Sequence, residues 1–257
     1  MKLGKRVQIV IGVPDLEKSA EFFSNLNFQL IDRSDTPYPW AQFSDGQNLI
    51  LLNQDGMVYR GLVYFNPELN TAVPQLEQAG LAFFWKQTTD SGQLQSAMFI
   101  DPTGVDGVGG SRNVGVNIVA QDPSGLFQPS GDPCSICGSF GEFAIPTEDY
   151  NATRAFWTKL GFRVTHEDTQ PSPWGILMDD MIILGLHQHE QMEIQVPSLT
   201  YFAVDTTERI ETIKSFGYKP TFEHADADGN IIHAGFTTPD GTPLLVFQGD
   251  VSAEQQG

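Results

Sequence analysis

The stretch GEFAIPTEDYNATRAFWTKLGF, residues 141–162, decides the fold of this chain. In residues 142–146 the large apolar side chains Phe143 and Ile145 alternate with Glu142, Ala144 and Pro146, as in a strand with one face buried. Asp149 is suited to cap the N-terminus of a following helix, and Gly161 supplies a residue that can adopt the left-handed conformation that ends it. Helical spacing between these caps predicts a buried stripe of Ala152, Ala155, Phe156 and Leu160.

The same pattern occurs near the start of the chain. At an offset of 134 residues Asp15 corresponds to Asp149, and the register continues without a gap through Leu52. A second repeat, at an offset of 137 residues, pairs Tyr64 with Tyr201 and continues through Gly104 and Gly241. The chain is therefore a duplication of a half that itself contains two modules.

Each module is predicted to contain a strand, a helix and three further strands. We expect a first domain at residues 1–120, with modules at 6–53 and 61–119. The second domain is expected at 139–250, with modules at 139–189 and 198–248. Residues 121–138, which are rich in Pro and Gly, form the predicted linker. Whether modules pair within a half or exchange between halves stays open.

Composition excludes several classes of partner. The 257 residues are 40% hydrophobic, enough for two ordinary cores, and include 18 Phe and 4 Trp. A formal net charge of −18 would repel nucleic acid and anionic membranes. No apolar run reaches the length of a membrane span, and the N-terminus lacks an apolar signal region. We expect a soluble, cytoplasmic monomer or homodimer with a small-molecule ligand.

Two local motifs are predicted to carry no chemistry. Cys134 and Cys137 form a single C-x-x-C pair in the linker, without the second pair that a zinc site needs. The Gly-rich segment at 104–112 does not open a helix, so a plain loop or a lid is expected rather than a phosphate site.

The chain resembles the glyoxalase/bleomycin resistance/dioxygenase family, also called the vicinal oxygen chelate superfamily. The resemblance lies in VPDLEKSAEFF at residues 13–23, in its copy around Asp149, and in the DPTG and PDG turns at 101–104 and 239–241. It covers nearly the whole chain and implies an α+β fold, in which four βαβββ modules form two eight-stranded, cup-like half-barrels. The family includes lyases, isomerases, dioxygenases, thiol transferases and drug-binding proteins, so the fold alone does not select a function.

The resemblance also implies where a divalent metal would be held, on the first and last strands of the modules. Carried over to this chain, those positions are Gln8, Leu51, Leu62 and Asn117 in the first half and Glu142, Gly185, Leu199 and Leu245 in the second. A divalent ion needs several oxygen or nitrogen donors, and leucine and glycine side chains have none. We therefore expect the family metal site to be largely erased and no cofactor to be bound.

The histidines keep an alternative open, because all five lie in the second half. His187 follows Gly185 by two residues, so on a strand the two share a face. A hairpin at 225–230 would likewise place His224 and His233 on one face. A displaced metal or proton-relay site is one interpretation, and partly exposed strand histidines without a role are the other.

Two functions follow from these residues. The first is a binding protein whose cup holds an apolar or aromatic molecule. Its expected lining is Gln8, Trp40, Tyr64, Trp174, Tyr201, His224 and His233. The second is an enzyme of the lyase, isomerase or dioxygenase type, with Glu142 as general base and His187 as its partner in the second cup. A carboxylate isolated among apolar neighbours holds its proton more tightly, which suits proton abstraction near neutral pH. The alternatives are a Glu142 satisfied by the backbone or an arginine, and tryptophans that serve only core packing.

Overall fold

The computed structural model of the chain describes residues 2–102, 113–121, 128–188 and 195–251. The elements of the first half are, in chain order, β1 (Arg6–Gly12), α1 (Leu16–Asn25), β2 (Gln29–Ser34), β3 (Trp40–Ser44), β4 (Leu49–Asn53), β5 (Arg60–Phe65), α2 (Leu69–Gln78), β6 (Trp85–Thr88), β7 (Leu94–Ile100) and β8 (Gly115–Val119). Those of the second half are β9 (Ser139–Thr147), α3 (Tyr150–Lys159), β10 (Arg163–Asp168), β11 (Trp174–Met178), β12 (Ile183–Gln188), β13 (Ser198–Ala203), α4 (Thr206–Ser215), β14 (Phe222–Ala225), β15 (Ile231–Thr237) and β16 (Pro243–Gln248).

The strands form two eight-stranded sheets, ordered β2-β3-β4-β1-β5-β8-β7-β6 and β10-β11-β12-β9-β13-β16-β15-β14. In each sheet the first strands of the two modules lie side by side and antiparallel, β1 against β5 and β9 against β13. Modules therefore pair within a half and do not exchange. This arrangement confirms the predicted α+β fold of tandem βαβββ modules.

The helix of the repeated stretch begins and ends where the sequence predicts. The Asp149 side chain accepts a hydrogen bond from the backbone N–H of Ala152 at 3.0 Å, and Gly161 has φ of 104°. The predicted stripe is wrong in part, because Ala152 and Ala155 are exposed. The buried residues of α3 are Tyr150, Thr153 and Trp157. The large aromatic side chains, rather than the alanines, turn the helix toward the sheet because they bury more apolar area.

Each sheet has two distinct faces. One face carries the helices and contributes to the hydrophobic core, with Ile9, Ile11, Phe143 and Ile145 among its residues. Alternate residues of the same strands point to the opposite face. We call this helix-free side the inner face; on β9 it bears Glu142.

Two tyrosines join the halves through the helix-bearing faces. The Tyr64 hydroxyl donates to Asp179 Oδ2 and the Tyr201 hydroxyl to Asp45 Oδ2, both at 3.0 Å. These bonds are equivalent under the duplication. Both tyrosines are fully buried. The prediction that Tyr64 and Tyr201 line the cups is therefore wrong: strand alternation directs them into the core between the halves.

The linker cysteines are free and lie against the core. Burial raises the pKa of the Cys137 thiol, which disfavours the reactive thiolate. The Gly-rich segment 104–112 lies outside the described residues. Among the described residues, no helix is long and apolar enough to cross a membrane.

Candidate functional site

The inner face of the second sheet brings together the two residues predicted to carry chemistry. Glu142 lies on β9 and His187 on β12, and these strands are neighbours. Glu142 Oε1 is 2.8 Å from His187 Nε2. Glu142 is 7% exposed, so this hydrogen bond lies largely away from solvent. The Glu142 carboxylate and the His187 imidazole thus form a hydrogen-bonded pair on two inner strands of the second sheet.

A glycine makes this contact possible. On β12, Gly185 lies level with Ala144 of β9, and His187 lies two residues farther along. The Glu142 side chain therefore has to run diagonally across Gly185 to reach the imidazole. A Cβ atom at position 185 would lie 2.0 Å from Glu142 Oε2 and 2.2 Å from its Cδ. Only a residue without a side chain leaves that space to the carboxylate.

The pair sets the protonation of the histidine. Burial by itself disfavours the imidazolium, but the charge of Glu142 and its hydrogen bond outweigh burial and raise the pKa of His187 above its ordinary value. The expectation of an isolated Glu142 carboxylate is wrong for this reason. Its partner is also not the backbone or an arginine, the alternatives that the sequence left open.

Trp174 adds an aromatic surface beside the pair. It lies opposite His187 in the β11–β12 register. The two rings are parallel, with 5.9 Å between centroids and 2° between planes. His166 contacts the Trp174 ring at a centroid distance of 4.8 Å. Trp174 therefore lies on the inner face beside His187, and its contact with a ligand stays a prediction.

Two hydroxyl residues of the same face were not predicted from the sequence. Thr200 lies opposite Glu142 on β13, and Ser198 lies opposite Ala144. Both are buried, and neither Thr200 Oγ1 nor Ser198 Oγ has a hydrogen-bond partner. Buried hydroxyls are usually paired, so these two are exceptions beside the Glu142–His187 pair. The sequence holds no signal for them, because only strand register places them beside Glu142.

His224 and His233 are not part of this cluster. They lie directly opposite each other on β14 and β15, as predicted. The strands β9, β13 and β16 lie between β12 and β15 in the sheet, so the two histidines are not on a strand that neighbours the strand of His187. Burial lowers the pKa of His233, and its Nδ1 atom has no partner. Their predicted contact with a ligand remains a prediction.

The equivalent positions of the first sheet hold neutral groups. Gln8 replaces Glu142 and accepts a hydrogen bond from Gln42 Nε2 at 2.6 Å. Leu51 replaces Gly185, and Asn53 replaces His187. Trp40 lies opposite Asn53, as Trp174 lies opposite His187. The first inner face therefore keeps the tryptophan but lacks an acid–base pair at these positions.

The register also corrects two of the positions carried over for a metal. Leu62 and Leu199 belong to the core on the helix-bearing faces, and their neighbours Val63 and Thr200 occupy the inner faces. In the second half, the positions that correspond to the family metal site are therefore Glu142, Gly185, Thr200 and Leu245. One carboxylate and one hydroxyl do not fit a tightly held divalent ion. Among the described residues, no group of three or more His, Cys, Asp or Glu side chains suits a metal.

Comparison with known proteins identifies the fold. No family model matches the chain, and no curated protein matches it in sequence. Among solved structures, it is similar to a catechol 2,3-dioxygenase, with 17% identity, 97% of this chain and 94% of that chain covered, and a TM-score of 0.60. It is similar to the 2,3-dioxygenase LapB from Pseudomonas sp. KL28, with 13% identity, coverage of 97% and 93%, and a TM-score of 0.60. It is also similar to an extradiol ring-cleaving dioxygenase from B. fuscum, with 12% identity, 97% of this chain and 72% of that chain covered, and a TM-score of 0.62. The chain has the tandem vicinal oxygen chelate fold that these dioxygenases share.

Proposed function

We propose that the inner face of the second sheet binds a small apolar or aromatic molecule without a metal at the family positions. The observation that carries the proposal is the Trp174 ring beside the buried Glu142–His187 pair. Half-buried apolar side chains of the same strands and face, Ile176 and Ile183, lie beside it. An apolar lining with a few convergent polar groups is the usual form of a small-molecule site.

The lining also indicates how a ligand would be held. A flat ring stacks on Trp174 and gains from both burial and ring contact. Glu142 and His187 then orient a polar substituent of that ring by hydrogen bonds. Catechol is a suitable probe, because it combines a flat ring with hydroxyl groups and because the similar structures include a catechol 2,3-dioxygenase.

We expect Trp174→Ala to weaken catechol binding about tenfold, the order of magnitude given by the loss of a ring contact together with its buried area. Isothermal titration calorimetry on the whole protein measures this. Trp40→Ala is the matched control, since Trp40 is the equivalent residue of the first sheet and should leave the affinity unchanged. Equal losses in the two variants, or none in Trp174→Ala, would contradict the proposed location.

We expect the protein, purified without added metal, to contain less than one equivalent of Zn, Ni, Mn or Fe. The reason is the donor-poor set of inner-face positions described above. Elemental analysis checks this, with Gln8→Ala and Glu142→Ala measured alongside. A stoichiometric metal that is lost in either variant would refute the metal-free site.

A second candidate is an enzyme that transfers protons at the same place. The 2.8 Å contact between Glu142 and His187 favours it, because a carboxylate coupled to an imidazole can move a proton near neutral pH. On this interpretation Glu142 is the general base and His187 its partner. The Glu142→Gln variant separates the candidates, since it keeps the shape of the site and removes the base.

A further inference from the structure

We infer that the hairpin of β14 and β15 binds one divalent ion of a late first-row transition metal, such as Cu²⁺, Ni²⁺ or Zn²⁺, between the imidazoles of His224 and His233. This site is separate from the Glu142–His187 pair and from the positions at which the family resemblance implies a metal. The metal site does not require the ligand site proposed above.

Strand register brings the two imidazoles together. His224 on β14 and His233 on β15 are directly opposite each other in an antiparallel pair. Residues paired in this way have Cβ atoms roughly 5 Å apart and share a face of the sheet. Imidazoles at this separation can both reach one ion, since each metal–nitrogen bond is about 2 Å long.

The nitrogens of the pair are open to a metal ion. β14 is the edge strand of the second sheet, and His224 on it is exposed. His233 is half-buried, and its Nδ1 atom is buried without a hydrogen-bond partner. Its Nε2 atom is therefore the nitrogen that faces an ion. An ion reaches the pair from solvent without any movement of the sheet.

Aromatic side chains restrict the two rings. The His224 ring contacts Phe222 at a centroid distance of 5.5 Å, and His233 packs edge-on against Phe247 at 4.9 Å. Rings that are held by their neighbours lose less rotational freedom on binding, which favours a chelate between them.

Two imidazoles select the class of ion. Neutral imidazole nitrogens suit Cu²⁺, Ni²⁺ and Zn²⁺, with Cu²⁺ bound most tightly, whereas Ca²⁺ and Mg²⁺ prefer oxygen ligands. The net charge of −18 also attracts cations. With two protein ligands the ion keeps water at its other positions, so it exchanges and a chelator removes it.

The first sheet offers an internal comparison, because it lacks the pair. At the offset of 137 residues, His224 corresponds to Gln87 and His233 to Ser96. Gln87 and Ser96 are likewise opposite each other, on β6 and β7. The duplicated backbone keeps this register without histidines, so the hairpin does not need the pair in order to form.

Isothermal titration calorimetry with CuCl₂ tests the site on the full chain, after dialysis against EDTA and then metal-free buffer. We expect one equivalent of Cu²⁺, and weaker binding of Ni²⁺ and Zn²⁺ at the same place. His224→Gln and His233→Ser, which introduce the residues of the first sheet, should each weaken Cu²⁺ binding about tenfold or more, because even the outer-shell partners of metal ligands are typically worth about 10–100-fold. Electron paramagnetic resonance should show two nitrogen ligands to Cu²⁺ in the parent and fewer in either variant.

His166→Gln is the matched control, because it removes an exposed histidine from another strand of the same sheet and should leave the affinity unchanged. His224 is exposed, so His224→Gln keeps the test valid if His233→Ser does not fold. Cu²⁺ affinity at the parent value in His224→Gln overturns the inference, as does an equal loss in His166→Gln. Loss of the ion in Glu142→Ala places it at the family position, and then both this inference and the metal-free site proposed above fail.

Discussion

Replacing Gly185 with alanine is expected to lower the pKa of His187 from above its ordinary value to below it. The added Cβ would lie 2.0 Å from Glu142 Oε2, so the carboxylate has to leave its place beside the imidazole. Burial of His187 then acts alone, and burial disfavours the imidazolium. A pH titration followed by NMR of the imidazole C–H protons measures the change, with the His187→Gln spectrum assigning the signal. The fold should be retained, because the obstructing atoms belong to the far end of a side chain.

Two comparisons make this prediction specific. Gly115→Ala is the matched control, since Gly115 is an inner-face glycine of the first sheet where a Cβ would meet only Met98 Cε, at 3.8 Å. Glu142→Gln should lower the pKa of His187 by the same route, and adding Gly185→Ala to it should produce no further fall. An unchanged titration in Gly185→Ala would show that the glycine does not position Glu142.

Arg60→Met is expected to reduce the free energy of unfolding by about 3 kcal/mol, the lower end of the range for breaking a buried ion pair. Arg60 is 3% exposed, and its Nε atom donates to Thr242 Oγ1 at 2.9 Å. The guanidinium Nη2 atom donates to the Asp240 carbonyl at 3.2 Å and lies 3.8 Å from the Asp240 carboxylate. These contacts link β5 of the first half to the turn before β16 of the second. Methionine fills the volume but leaves the Asp240 charge without a cation.

Urea unfolding of the full chain measures this loss. Arg33→Met is the control, since the Arg33–Glu17 pair is exposed and such pairs contribute about 0–1 kcal/mol. Asp240→Asn offers a milder test of the same contact if Arg60→Met does not fold. A change for Arg60→Met no larger than for Arg33→Met would mean that the buried pair does not stabilise the contact between the halves.

The duplication explains why so much of the fold could be predicted. Each element occurs in two aligned copies, so the two sequence patterns support the same assignment. Asp15 and Asp149, for example, cap equivalent helices. Failures arose where periodicity had to assign a face. Tyr64 and Tyr201 have the aromatic character expected of a cup, yet they lie in the core and bond to aspartates of the other half. Hydrophobicity did not reveal this, because both faces of these strands are largely buried.

The residues of the candidate site could also be predicted only in part. Glu142 was predicted because it occupies a first-strand position that the family resemblance implies for a metal, and His187 because it follows Gly185 by two residues. Their partnership was one interpretation of the sequence, but the contact itself depends on the offset between β9 and β12 and on a side chain that crosses a glycine. Ser198 and Thr200 had no distinguishing signal at all, being ordinary strand residues until register sets Thr200 against Glu142.

The sequence by itself determined the repeat and the order of elements, and it places residues without a metal-donor side chain at positions 51, 185 and 245. These properties depend on residue identity, local propensity and spacing, which are written along the chain. Only the tertiary structure decided that Glu142 pairs with His187, that Thr200 replaces Leu199 on the inner face, and that Tyr64 and Tyr201 join the halves. Each of those depends on strand register or on packing between distant segments. A shift of one residue in register reverses the face of every side chain on a strand, and no local pattern resolves that shift when both faces are buried.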